Sequence, residues 1–235
     1  MKRIGTALFV IFILIILVYL FNRFSLAKHH PYYELPTNKD DASLTIGIIG
    51  DSWVSGNMLD SFLSDHLQKH NLDANILSSG HPGAKTKLIY QNLYKESHEE
   101  YSSRFVIAQQ PEYGLVVGGV NDAIAQLGKK NYSFHMVQII KHLLYYDIIP
   151  VVVPLPEFSV TKAIHDMEFY KRYRNILTAY FTNKGELDNV QQYRNELSRT
   201  LEEHQLLDRV IFVDLDKVCN LLVCYNLING LFLIT

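Results

Sequence analysis

The stretch Leu44-Thr45-Ile46-Gly47-Ile48-Ile49-Gly50-Asp51-Ser52-Trp53 decides the fold. Leu44 to Ile49 is a short apolar run rich in β-branched residues, the pattern of a strand buried on both faces of a parallel sheet. Gly50 ends the run, and Asp51-Ser52 puts a carboxyl and a hydroxyl where the strand gives way to the next element. Beyond it, Met58, Leu59, Phe62, Leu63 and Leu67 recur at helical spacing, which predicts a helix from Met58 to His70 with one face on the sheet. Ala74 to Leu77 reads as a second strand, about Lys85 to Ser102 as a helix, and Tyr113 to Val117 as a third strand. A helix from Ser133 to Tyr146 leads to a fourth strand, Ile148 to Val153, whose Pro150 is tolerated near the strand's start. A mostly helical region from Leu155 to Leu207, broken near Asn183-Lys184-Gly185, precedes a fifth strand at Val210 to Leu215.

Alternating strands and helices imply right-handed crossovers and an α/β fold, a parallel sheet of about five strands covered on both faces. Ligands in such folds sit at the carboxyl ends of the strands. Three loops fall there: Gly50-Asp51-Ser52-Trp53, Ser78-Ser79-Gly80-His81-Pro82-Gly83 and Gly118-Gly119-Val120-Asn121-Asp122. A serine hydroxyl becomes a nucleophile once a base takes its proton. The N–H groups of Ser52 and Gly80, with the side-chain amide of Asn121, are the candidate donors to the oxyanion of a tetrahedral intermediate. Glycine at position 80 allows a bare backbone to come close to a substrate.

Together these loops resemble the SGNH hydrolases, the GDSL-like lipase and acylhydrolase superfamily. Gly50-Asp51-Ser52 matches the block that carries the nucleophile, Gly80 the glycine of the second block, and Gly119-Val120-Asn121-Asp122 the G-x-N-D of the third. The resemblance spans roughly Leu44 to Leu215, with only the three loops specific. It implies a flavodoxin-like three-layer α/β/α sandwich, a Ser52 nucleophile, an oxyanion hole from Ser52, Gly80 and Asn121, and no metal or organic cofactor. The implied reaction is hydrolysis of a small-molecule or glycan acyl ester. A catalytically inactive binding module and an O-acyltransferase are the alternatives on the same site.

One family signature is missing. The superfamily's base is a histidine in a D-x-x-H element after the last strand, and Leu215 to Thr235 contains no histidine. Asp214 and Asp216 are not followed by one three residues later. The tail is instead apolar, as in Leu221-Leu222-Val223 and Leu231-Phe232-Leu233-Ile234, and the expectation is a hydrolase domain incomplete at its C-terminus. His81, beside Gly80, is read as a polar loop residue. His165 and His204 are read as surface residues, and His66, His70, His98, His135 and His142 as lying on helix faces away from the strand ends.

Upstream of the domain, Lys2-Arg3 precede an uncharged run from Ile4 to Phe21, long enough to span a ~30 Å hydrocarbon layer as a helix. The basic flank places the N-terminus inside and the domain outside. The expected division is therefore a transmembrane anchor over 1–24, a tether over 25–43 and the hydrolase domain over 44–235. The partner is the membrane, and the domain is extracytoplasmic. Ser25-Leu26-Ala27 has the form of a signal-peptidase site, and cleavage after Ala27 would make the protein secreted.

The 235 residues carry a net charge of -2, without the broad basic field that nucleic acid requires. Cys219 and Cys224 have neither CxxC spacing nor a neighbouring histidine cluster, which disfavours zinc, and they read as buried thiols before they read as a disulfide. Tyr170-Lys171-Arg172-Tyr173-Arg174 mixes aromatics and cations and reads as a solvated helix face ahead of a substrate-binding one.

Overall fold

Strand β1 (Leu44–Gly50) lies inside the sheet, paired in parallel with β2 (Ala74–Gly80) on one side and β3 (Tyr113–Val117) on the other. β4 (Ile149–Val153) and β5 (Ile211–Phe212) extend it in parallel to the order 2-1-3-4-5. Pro150 is the second residue of β4 and pairs with Gly114, near the strand's start as its missing donor demands. This computed structural model describes residues 2–35, 44–56 and 58–213, the side chains of 2–7 and of Met58 excepted. The last part of the expected fifth strand, Asp214 to Leu215, lies outside the described residues, as do Asp216, Cys219, Cys224 and the apolar tail.

The helices are α1 (Lys2–Phe24), α2 (Ser52–Ser55), α3 (Met58–Lys69), α4 (Thr86–Asn92), α5 (Arg104–Ala108) and α6 (Val120–Ile124). They continue with α7 (Lys129–Tyr145), α8 (Val160–His165), α9 (Phe169–Thr182) and α10 (Val190–Glu203). Successive strand residues point to opposite faces. Ile49, Val116 and Val152 therefore enter the larger core with Ile89, Ile140 and Leu201 from α4, α7 and α10. Ile48 and Val117 face the other way, against Val54 of α2 and Leu59 and Leu63 of α3. Two helical layers enclose one parallel sheet, as the strand pattern predicts.

The helix expected to run to Ser102 ends at Asn92. The backbone turns there because the Asn92 carbonyl accepts from Ser103 N–H at 2.9 Å and its side-chain amide donates to His81. Tyr101, at φ 61°, confirms that the helical path is abandoned before the next element.

The N-terminal segment is helical from Lys2 to Phe24, with Leu14, Leu17 and Phe21 among its exposed apolar side chains. Over the residues whose side chains are described, no helix is long and apolar enough to cross a membrane. After α1, residues 25–35 do not hang free as a tether would. Ala27 N–H donates to His135 Nε2 at 3.0 Å, and Tyr33 exchanges two hydrogen bonds with the Tyr146 hydroxyl, at 2.9 and 2.7 Å. Tyr32 stacks on Tyr145 with ring centres 3.6 Å apart, and the Arg104 guanidinium lies over the Tyr33 ring at 4.2 Å. These contacts strap the segment across α7 and α5.

Candidate active site

The order 2-1-3-4-5 has its switch point between β1 and β3, where successive crossovers leave to opposite faces of the sheet and open a crevice at the carboxyl edge. The loops after β1 and β3 are the two walls of that crevice, and the end of β2 stands beside the first. Each contributes one of the expected residues.

Ser52 is the first residue of α2 and is partly exposed. Asp51 starts the helix: its Oδ1 accepts the Trp53 N–H at 3.1 Å, satisfying one donor of the first turn. At the first helical position the Ser52 N–H has no acceptor within the helix and is available to a ligand. Gly50 lets this turn sit tight on β3, since a Cβ there would stand 2.3 Å from the Val117 carbonyl oxygen.

Gly80 has a different reason for its identity than the one expected. A Cβ at this position would lie 2.1 Å from Ser55 N and 2.5 Å from Ser55 Cα, so the bare backbone allows β2 to abut α2. The register pairs Gly50 with Gly80, and Gly50 C=O accepts the His81 N–H at 3.0 Å, fixing the second loop beside the first.

Asn121 belongs to α6, which follows Gly119 at φ 112°. Its Nδ2 donates to the Ala84 carbonyl at 3.0 Å and points at Asp51 Oδ2 at 3.4 Å. One amide thus joins all three loops. The second contact is long and weak, and the hydrogen that makes it is the one a substrate oxygen can take. Asp122 holds the loop from below: its two oxygens accept from Thr86 N–H at 2.9 Å and Thr86 Oγ1 at 2.8 Å.

Both carboxyls are buried, Asp51 at 1% exposure and Asp122 at 0%. Burial pushes Asp51 up to about 7, with the Trp53 N–H pulling down and the charge of Asp122 pushing up. Burial likewise raises Asp122 to about 6 against its two bonds from Thr86. His81 is oriented by Asn92, whose Nδ2 donates to His81 Nδ1 at 3.0 Å, and it stacks on Tyr101 at 3.9 Å. With Nδ1 accepting, the neutral ring carries its proton on Nε2, which makes that nitrogen a donor. Burial and then Lys95 lower its pKa.

Two of the histidines assigned to helix faces have a structural task. His135 and His142 are fully buried, and the second accepts or donates to the hydroxyls of Tyr33 at 3.3 Å and Tyr94 at 3.1 Å. Sequence reasoning missed Asn92, Tyr101 and Thr86, whose contacts are made over distances that no local pattern encodes. Among the described residues no cluster of His, Cys, Asp or Glu could hold a metal.

The crevice is narrow. Trp53, Val120, Val153, Pro154, Leu155 and Pro156 line about 10 Å³ beside Asp51, room for about one water. A larger hollow of about 380 Å³ lies at the amino ends of β4 and β5, among Asp147, Ile149, Asp208 and Ile211, at the opposite edge of the sheet from the three loops.

The architecture defines a doubly wound α/β protein, with the three candidate loops at its switch point. More narrowly, the chain shares its fold with a solved esterase. It superposes on the acetyl xylan esterase AlAXEase with a TM-score of 0.50 at 14% identity, over 80% of this chain and 83% of that one. A putative acylhydrolase from Bacteroides fragilis gives 0.48 at 13% identity, over 77% and 71%. The SGNH-hydrolase family esterase AlinE4 gives 0.46 at 19% identity, over 73% and 75%. No family sequence model and no curated protein matches the chain.

Proposed function

We propose that the protein is a serine ester hydrolase, held at the outer face of a membrane by α1, that cleaves acyl esters such as acetyl groups on envelope glycans. The observation that carries this reading is Asn121: its single amide ties the nucleophile turn, the second loop and the third loop into one edge, through Ala84 and Asp51. Ser52 Oγ attacks the ester carbonyl, a base takes its proton, and the oxyanion receives the N–H groups of Ser52 and Gly80 and the Asn121 amide. The base returns that proton to the departing alcohol, and water, giving its own proton to the base, then releases the acid and restores the Ser52 hydroxyl. The likeness to an acetyl xylan esterase fold agrees with a small acyl group in a narrow crevice.

A second reading is favoured by the histidines: the same cleft binding an acyl ester without turning it over. His81 Nε2 holds a proton while Asn92 donates to Nδ1, and the segment after Leu215 carries no histidine. A fluorophosphonate probe separates the two. The hydrolase predicts labelling of the full chain that is abolished in Ser52→Ala, with release of acid from an acetyl ester. Binding of the ester without labelling would instead establish the inactive module, and appearance of the acyl group on an added glycan acceptor would establish a transferase.

A further inference from the structure

Helix α9 contains the Tyr170-to-Arg174 run that neither the crevice nor the core uses. At about 100° per residue, Asn175, Thr178 and Ala179 share the face packed on the domain, at 1%, 7% and 0% exposure. The opposite face presents Phe169, Tyr170, Tyr173, Leu177, Tyr180 and Phe181, exposed by between 58% and 77%. Exposed apolar side chains on a soluble surface are ordinarily scattered, and a contiguous row of large ones marks an interaction site. Arg174 borders the row on one side and Arg172 lies toward it on the other.

What lies beside this face identifies its occupant. Arg23, at the end of α1, donates to the carbonyl of Ala125 at 2.7 Å, and Ala125 caps the helix that carries Asn121. Thr182, the last residue of α9, donates its hydroxyl to the next carbonyl along, that of Gln126, at 2.9 Å. The end of α1 and the end of α9 therefore meet neighbouring carbonyls just after the helix that carries Asn121. Rings of Tyr and Phe beside cations suit the headgroup level of a bilayer, where amphipathic helices lie in the plane of the interface. The cations favour anionic lipid.

We infer that the aromatic face of α9 is a membrane-docking surface, seated in the bilayer beside α1 so that the strand-end loops are held close over the lipid. This rests on the anchor reading of α1 given above. The occupant is a lipid surface, and the substrate it favours is an acyl ester presented at that surface.

The test uses the full chain in vesicles of neutral and anionic phospholipid, with Trp53→Phe as the background and one reporter tryptophan at a time. Tyr173→Trp reports α9, Tyr19→Trp reports α1, and Leu72→Trp reports an exposed site at the amino edge of the sheet. Seated ~5 to 10 Å into the headgroup boundary, the α9 tryptophan should shift to the blue and lose about half its emission or more to lipids brominated high on the chain. It should lose less to lipids brominated near the chain end, and the Leu72→Trp signal should not change. Quenching at position 19 with solvent-like, unquenched emission at 173 would leave the anchor standing and overturn the docking. A blue shift at 173 without lipid quenching would mean that protein covers the face, either a second copy or the apolar segment after Val213, and would also overturn it. No quenching at position 19 would reject the anchor, and the result at 173 would then decide docking alone.

Discussion

A methyl group at position 80 has nowhere to go. The atoms it would meet, at 2.1 to 2.6 Å, are backbone atoms of Ser55 and Val54 that no rotamer change can move. Overpacking of this kind costs ~1 to 3 kcal/mol or more, so Gly80→Ala is expected to lower the urea midpoint and to slow probe labelling of Ser52 by displacing α2. Asp51 makes a second residue-scale prediction. Its folded pKa of about 7 lies above the ordinary 3.8, so the folded state holds the proton more tightly. The stability tied to that proton is present at low pH and is lost as pH rises from about 4 through about 7. In Asp51→Asn, which keeps an acceptor for Trp53 N–H, the fall in stability between about pH 5 and about pH 8 should shrink. An unchanged difference in urea midpoint would show that Asp51 is ionised throughout. At this scale Ser52, Gly80 and Asn121 were legible because glycine and asparagine beside a strand end form a short local pattern. The reason for Gly80 was not, since it lies in the backbone of a helix 25 residues earlier in the sequence.

Among elements, β1, β3 and β4 follow the apolar runs to within a residue, because a parallel strand buried on both faces needs an unbroken stretch of β-branched residues, whereas β2 runs three residues past its apolar run, through Ser78-Ser79 to Gly80. Residues 25–35 have no such regularity, and nothing periodic announces that they pack. Their binding comes from single contacts: one hydroxyl, that of Tyr146, accepts from the Tyr33 N–H and donates to the Tyr33 carbonyl. Tyr146→Phe strips both partners at once. Leaving partly buried backbone groups unpaired costs ~1 to 3 kcal/mol. The expected outcome is faster tryptic cleavage at Lys28 in the folded full chain, and protection equal to that of the parent would show that the strap is held by ring packing alone.

The molecule as a whole carries opposed titrations. His135 is pushed down to about 4 and His142 to about 3 by burial, so they are neutral in the fold, and the stability that depends on their neutrality is lost as pH falls below 6.5. Asp51 and Asp122 act in the other direction over much of the same range. Below about 4 the two carboxyls have taken up their protons in either state and no longer offset the histidines. Acid unfolding followed by circular dichroism should therefore begin near that pH, and His142→Gln, which removes one proton sink of the unfolded chain, should move it lower. A midpoint that does not move would mean that His142 is charged in the fold.

The sequence by itself determined the α/β class, the order and approximate places of the strands, and the three strand-end segments that hold Ser52, Gly80 and Asn121, because each is written in residues close together along the chain. Only the tertiary structure decided that one Asn121 amide joins those loops and that Gly80 serves the seat of α2. It alone showed that His135 and His142 bind the strap, and that the ends of α1 and α9 reach the neighbouring carbonyls of Ala125 and Gln126. Hydrogen bonds between residues 37, 70 or 108 positions apart, and the side on which a helix lands, depend on packing that closes over the whole chain.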